Sequence, residues 1–412
     1  MYHERLLSDR LLRMAESFPV VVVSGARQVG KTTLVRHLFP QMDYVVFDPT
    51  LDIENARREP DLFLRNHPAP LVLDEIQYAP ELVAALKRRV DAAGAKHGQY
   101  VLTGSQQWQV MRSLSESLAG RAAFLDLEGF SLQELEGRGN QPGWLQTWLD
   151  TPEEMTTGRG PRDAGSGKSP LKWLWRGQLP GVQPLAADLV TEFWTGYQRT
   201  YIERDARLAG DVGDWQQFGL FIRLAGACTA QEINYSHLGR EIGMTPQSAR
   251  RWLQTMRGTF QWVEVPAFKG NVVKRVSSKP KGYLADTGLA CHLAMITSPK
   301  TLSAHPLLGA LFETAMVHEI RKQLYAGPGR ATIHHWRSAG GAEVDLLVER
   351  DGVFYPFEIK LTTHPTRRDA SGITAFREAH PKIKVGKGAI LCATERPLWI
   401  TEDVAAIPWN QA

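Results

Sequence analysis

Residues 20–33 read VVVVSGARQVGKTT, four valines running into a glycine-framed loop that closes on a lysine and two threonines. A row of β-branched residues suits a strand buried on both faces, the kind found in parallel sheets with helices on either side. The loop from Gly25 to Thr32 fits the pattern G-x-x-x-x-G-K-S/T. Gly25 and Gly30 let the backbone curl, so that the N–H groups of Ala26, Arg27, Gln28 and Val29 converge on phosphate oxygens. Lys31 is placed to reach the β- and γ-phosphates, and the Thr32 hydroxyl to bind Mg²⁺. Lys31, Thr32 and Thr33 open a helix whose positive end faces the same anion. At average glycine content the pattern arises by chance in roughly one chain in a hundred of this length. With a strand before it and a helix after it, an ordinary glycine-rich turn is the weaker reading.

The segments that follow extend this site. LVLDEIQ at 71–77 is an apolar strand ending in two carboxylates. Asp74 is placed to hold Mg²⁺, through water, and Glu75 to polarise an attacking water. YVLTGS at 100–105 brings Thr103 or Ser105 to the end of a neighbouring strand, between the metal and that water. SLAGR at 117–121 precedes another apolar strand. Arg121 there reads either as a surface arginine or as an arginine finger reaching into a neighbouring copy's site. No N/T-K-x-D guanine signature occurs, so ATP is expected rather than GTP.

Around these motifs strands alternate with helices: strands at 20–23, 44–47, 71–73 and 100–103, helices at 5–16, 31–39 and 81–93. That alternation predicts an α/β fold with a parallel sheet. A chain of 412 residues is long enough for two or three domains. Its net charge of +4 permits nucleic acid without arguing for it. Cys228, Cys291 and Cys392 lie far apart, which rules out a zinc ribbon or a dense disulfide framework and suits a reducing compartment. No signal-peptide pattern and no apolar run of membrane-spanning length is present, so a cytoplasmic protein with no membrane partner is expected.

From 136 to 170 the composition turns to Gly, Pro, Ser and Thr, as in TTGRGPRDAGSGKSP, and predicts a flexible insertion or linker. A helical region follows from about Ala186 past Arg207. Residues 229–256 then place Leu238, Ile242 and Met244, and Ala249, Trp252 and Leu253, at the spacing of two short helices around a turn at Gly243. That is a helix-turn-helix pattern. Its second helix would offer Gln247, Ser248, Arg250, Arg251 and Gln254 to a DNA groove. Lys269, Lys274, Arg275, Lys279 and Lys281 follow with no acid between 269 and 282, as a wing resting on phosphates would require. The same module can also serve as a protein-binding or lid element.

Near the C-terminus, 307–325 reads as a helix carrying Glu313. A strand at 333–336 follows, and then a hairpin with its turn at Asp351-Gly352. Asp345 lies on the hairpin's first strand. Glu358 and Lys360 lie two residues apart on the second, and therefore on one face. Two carboxylates and a lysine on one face can hold Mg²⁺ and steady a hydroxide, with Glu313 as a further ligand. The bland alternative is that these charges pair with one another. Pro356 is awkward in a central strand.

The motifs GARQVGKTTL, LVLDEIQ, VLTGSQ, SLAGRAAFLDLEGFSLQEL, YIERD (201–205), YLADTGL (283–289) and GGAEVDLLVE (340–349) together resemble prokaryotic AAA-type ATPases with a C-terminal DUF4143 region. The C-terminal E…D…ExK elements resemble the PD-(D/E)xK nuclease fold. The resemblance covers most of the chain except 136–170, and it implies a nucleotide-driven machine that assembles into a ring, a hexamer being one such ring. The expected organisation is an ATPase domain at 1–135, a linker at 136–170, a helical and winged-helix domain at 171–300, and a restriction-endonuclease-like α/β domain at 301–412. Three functions stay open. One is an ATPase, with Mg²⁺, that binds and remodels DNA, branched DNA included. The second is an ATP-gated metal-dependent nuclease, and the third a nucleotide-switched interaction protein.

Overall fold

The computed structural model describes residues 2–48, 53–94, 96–105, 116–156, 169–201, 206, 214–269 and 278–411. The valine run forms β1 (Val20–Ser24). It joins β2 (Asp43–Val46), β3 (Leu71–Asp74), β4 (Tyr100–Gly104) and β5 (Ala122–Asp126) in a five-stranded sheet of order β2-β3-β4-β1-β5. Every pairing is parallel. Alternate side chains of a strand point to opposite faces, and β1 shows the result. Val21 and Val23 enter one core with Leu11, Leu34 and Val35, while Val20 and Val22 enter another with Leu73, Leu82 and Leu86. The helices Ser8–Ser17 and Lys31–Leu38 cover the first face, and Leu82–Ala93 covers the second. The chain is thus an α/β protein whose N-terminal unit is built on a five-stranded parallel sheet.

The stretch expected as a flexible linker differs from that expectation over 144–156, which folds into helices Trp144–Asp150 and Pro152–Thr156. Trp144 and Trp148 are fully buried, edge-on to Phe357 and against Trp399 respectively. The Leu149 carbonyl accepts from Arg350 at 2.9 Å and from the Tyr355 hydroxyl at 3.1 Å. Trp144, Leu145, Trp148 and Leu149 make an apolar face at helical spacing, which the surrounding Gly and Pro obscured. Residues 157–168 lie outside the described residues, whereas Pro170–Arg176 is again a helix.

The middle of the chain is largely helical. The helices Tyr235–Glu241 and Pro246–Gly258 flank a turn in which Gly243 takes φ +70°. Asn234 and Thr245 cap them, each side chain accepting a main-chain N–H. Beside them β6 (Gln231–Glu232), β7 (Trp262–Val265) and β8 (Lys281–Leu284) form a small antiparallel sheet with β8 in the centre.

The last unit is a seven-stranded mixed sheet. Its strands are β9 (Ala331–Arg337), β10 (Glu343–Arg350), β11 (Val353–Ile359), β12 (Lys384–Val385), β13 (Gly388–Cys392), β14 (Leu398–Thr401) and β15 (Val404–Pro408). The β10–β11 hairpin turns at Asp351 and Gly352, both at positive φ, as a two-residue type I′ turn requires. Pro356 fits because β11 changes partner around it: Val353 and Phe354 pair with β12, Phe357 to Ile359 with β13.

One element joins all three units. The helix Leu308–Ala326 is buried along Leu311–Phe312 and Thr314–Ile320, on every side of its axis. The Glu319 carboxylate accepts from Leu132 N–H at 2.9 Å, and Lys322 donates to the Phe130 carbonyl at 2.8 Å. His318 sits between the Glu128 carboxylate (3.0 Å) and the Leu284 carbonyl (2.9 Å). Gln323 accepts from Leu145 N–H at 3.0 Å.

Candidate functional site

The C-terminal edge of a parallel sheet is where open α/β folds bind ligands, and the predicted phosphate loop lies there. Gly25 takes φ +150°, and a Cβ on it would stand 2.1 Å from the Leu127 carbonyl oxygen, so only glycine lets the loop pass β5. Gln28 and Gly30 follow at φ 62° and 96°, which turns the chain into the helix starting at Lys31. Lys31 is buried, and its Nζ donates to the carbonyls of Gly25 and Ala26 at 2.9 Å each. The Thr32 hydroxyl donates to Asp74 Oδ2 at 2.7 Å.

Asp74 is the hub of the site. Its carboxylate accepts from three hydroxyls, those of Thr32, Thr103 and Tyr44. Thr103 Oγ1 also accepts Glu75 N–H at 3.0 Å, tying β4 to the end of β3. Glu75 takes φ 60°, and its carboxylate accepts from Gln77 and, at 3.3 Å, from Ser105. Gln77 Nε2 in turn donates to Ser105 Oγ at 3.1 Å. Burial and the Asp74 carboxylate push the Tyr44 hydroxyl pKa up, so it stays a donor. Arg27 donates to the Tyr78 hydroxyl at 3.2 Å. The arrangement fits Mg²⁺: a threonine hydroxyl and an aspartate already in contact are a hard oxygen pair beside the phosphate loop.

Arg121 lies just before β5, 36% exposed, in an ion pair with Asp91 of the same chain. Thr33 and Gly30 border a cavity of about 790 Å³, walled also by Tyr2, Phe130, Leu132 and Trp173. Arg5, upstream of the first helix, braces the loop. It donates to the carbonyls of Val29 (2.8 Å) and Glu128 (2.6 Å) and pairs with Glu134. Tyr44, Gln77 and Arg5 are the members that sequence reasoning missed. Only Gln77 carried a local signal, since it closes the LVLDEIQ segment.

The predicted DNA face divides. Gln247, Arg250, Arg251 and Gln254 are exposed along the helix Pro246–Gly258, whose Ala249, Trp252, Leu253 and Met256 are buried. Lys269 is half-buried. Lys274 and Arg275, like residues 202–205 of the YIERD segment, lie outside the described residues. Lys281 departs from the expected wing: it is buried within β8 and faces the C-terminal unit.

There Glu313, Asp345, Glu358 and Lys360 do come together. Lys360 Nζ lies 2.9 Å from Asp345 and 3.2 Å from Glu358. Lys281 Nζ lies 2.9 Å from Glu313 and 3.7 Å from Asp345. The Tyr283 hydroxyl donates to Glu313 at 2.8 Å. Burial and neighbouring Asp345 push the Glu313 carboxyl up to about 7, against the pull of Lys281. Burial and Asp345 raise Glu358 as well, whereas Lys281 and Lys360 outweigh burial at Asp345 and lower it. Among the described residues, no group of three or more His, Cys, Asp or Glu side chains is arranged to hold a metal ion. The expected nuclease-type ligand set of Glu313, Asp345 and Glu358 is therefore assembled around ammonium groups.

Residues 17–136, which hold the phosphate loop and its partners, match the AAA domain model. Residues 308–412 match a domain of unknown function, DUF4143, and residues 169–300 another, DUF8612. The uncharacterized protein Rv2008c of Mycobacterium tuberculosis is 28% identical over 414 residues, spanning 100% of this chain and 85% of the relative. Among solved structures, the Walker-type ATPase PABY2304 of Pyrococcus abyssi aligns with a TM-score of 0.41 and 15% identity, over 70% of this chain and 94% of that one. The Thermotoga maritima RuvB Holliday junction branch migration motor aligns at 0.28 and 14%, over 66% and 91% of the two chains. No helix among the described residues is long and apolar enough to cross a membrane.

Proposed function

We propose that this chain binds ATP with Mg²⁺ at Gly25–Thr33, hydrolyses it, and couples the hydrolysis to contact with DNA, remodelling it. The observation that carries the first part is Lys31 resting on two loop carbonyls with Thr32 in contact with Asp74. Bound MgATP supplies a phosphoanhydride that is cleaved by water. Lys31 exchanges its neutral carbonyl partners for phosphate oxygens. Thr32 and Asp74 would hold the ion, and the hydroxyls of Tyr44 and Thr103 fix the Asp74 carboxylate in place. Glu75, steered by Gln77 and Ser105, orients the attacking water. The cavity beside Gly30 and Thr33, apolar over most of its wall, accommodates the base.

The DNA part rests on the helix Pro246–Gly258, which buries one face and presents Gln247, Arg250, Arg251 and Gln254 on the other. That division is what a winged-helix reader needs. Ring assembly belongs to the same reading, with Arg121 leaving Asp91 to serve a neighbouring copy.

The test is phosphate release measured against single-stranded, duplex and branched DNA at low salt, with cleavage followed in the same samples. DNA should stimulate turnover, and Arg250→Ala/Arg251→Ala should abolish the stimulation while leaving basal turnover intact. Turnover indifferent to every DNA form would remove the coupling and favour a nucleotide-switched protein-binding role.

A further inference from the structure

A PD-(D/E)xK-type centre works by holding a divalent cation between its carboxylates. The C-terminal cluster has the right acids, so the question is whether a cation fits among them. Each of the three carboxylates already has an oxygen engaged by an ammonium group, Glu358 through Lys360 at 3.2 Å. Asp345 Oδ2 accepts Ile359 N–H and Lys360 Nζ, both at 2.9 Å. Its other oxygen, Oδ1, faces Lys281 Nζ at 3.7 Å. Glu313 Oε1 accepts from both Lys281 and Tyr283. Lys281 therefore lies between the helix carboxylate and the strand carboxylate, the position a shared metal would take.

Lys281 does not reach this place by chance of a long surface side chain. It is 9% exposed and springs from the central strand of the small sheet, one residue pair from Tyr283, which shares its face. Two further bonds hold that strand and its surroundings against the same helix, from His318 to the Leu284 carbonyl at 2.9 Å and between Thr229 and Thr314 at 2.8 Å. Two ammonium groups against three carboxylates leave one negative charge, which a single proton removes.

We propose that Lys281 stands in the place of the divalent cation, so that Glu313, Asp345 and Glu358 form an internally neutralised joint between β8 and the C-terminal sheet instead of a metal-dependent nuclease centre. This joint shares no residue with the phosphate loop and its partners.

The probe is Mn²⁺ added to the nucleotide-free full chain, followed by electron paramagnetic resonance of free Mn²⁺ and by melting temperature. Wild type and Asp345→Asn should bind Mn²⁺ indistinguishably. Lys281→Met should gain one site, at least tenfold tighter than any in wild type, and Mn²⁺ should raise its melting temperature. Asp345→Asn added to Lys281→Met should abolish the gain. A Mn²⁺ site in wild type that Asp345→Asn removes, or Mn²⁺-dependent DNA cleavage lost in that variant, overturns the proposal. So does a folded Lys281→Met chain, judged by circular dichroism, that gains no site. If Lys281→Met does not fold, the comparison of wild type with Asp345→Asn decides alone.

Discussion

At the start of the helix that follows β1, Lys31 rests on two main-chain carbonyls. In β8, Lys281 rests on two carboxylates. Both ammonium groups are buried and both are satisfied, yet they are satisfied in different currencies. A carbonyl carries a partial charge, so a phosphate that arrives beside it outbids it for the lysine. A buried carboxylate carries a full charge that would itself be stranded if the lysine left. The first arrangement is provisional and borders a cavity of about 790 Å³. The second is closed. A lysine surrounded by oxygens marks a receptive site only when those oxygens can spare it.

The contrast can be broken by substitution. Removing Lys281 as Lys281→Met should cost about 3–5 kcal/mol, because it leaves Glu313 buried without its cation and Asp345 with Lys360 alone; urea unfolding reads this directly. A loss below about 1 kcal/mol would mean that the cluster is not self-neutralised. Lys31→Ala should instead leave the unfolding midpoint nearly unchanged and lower ATP turnover by about 100-fold or more. Equal effects of both substitutions on stability would erase the distinction. Tyr44→Phe sharpens it within the receptive site. Losing one of three hydroxyls on Asp74 should weaken Mg²⁺ by about 1 kcal/mol, seen as a higher Mg²⁺ concentration at half-maximal turnover.

The smallest effect is in pH. With the Glu313 carboxyl at about 7 in the folded chain against an ordinary 4.5, the folded state holds the proton longer than the unfolded one. Its contribution is complete below the ordinary value and is lost as pH rises through 7. Melting temperature should therefore fall between pH 5 and pH 8, and Glu313→Gln should flatten that fall. A steeper fall in Glu313→Gln would show the opposite shift.

What was legible in the sequence follows the range of each contact. The phosphate loop is eight residues with its own strand and helix, and Asp74 closes an apolar run, so both could be read locally. The valines of β1 announced a doubly covered strand, and the two cores confirm it. Asp345, Glu358 and Lys360 were brought together by strand periodicity alone. Lys281 was not, because its partner Glu313 lies 32 positions away and nothing near it signals burial; the basic run around it pointed toward solvent. Tyr44 was visible only as a strand residue, since its hydroxyl acts 30 positions away on Asp74. The helix at 144–150 was hidden by the glycines and prolines on either side of it.

The helix Leu308–Ala326 bears on how the chain can be taken apart. A fragment ending at 307 would deprive Leu132 N–H and the Phe130 carbonyl of their side-chain partners, and Glu128 of both His318 and Arg321. The N-terminal unit is therefore no detachable module. Fragments cut before this helix would carry raw seams, and grafting the N-terminal unit onto another protein would require transplanting the helix with it.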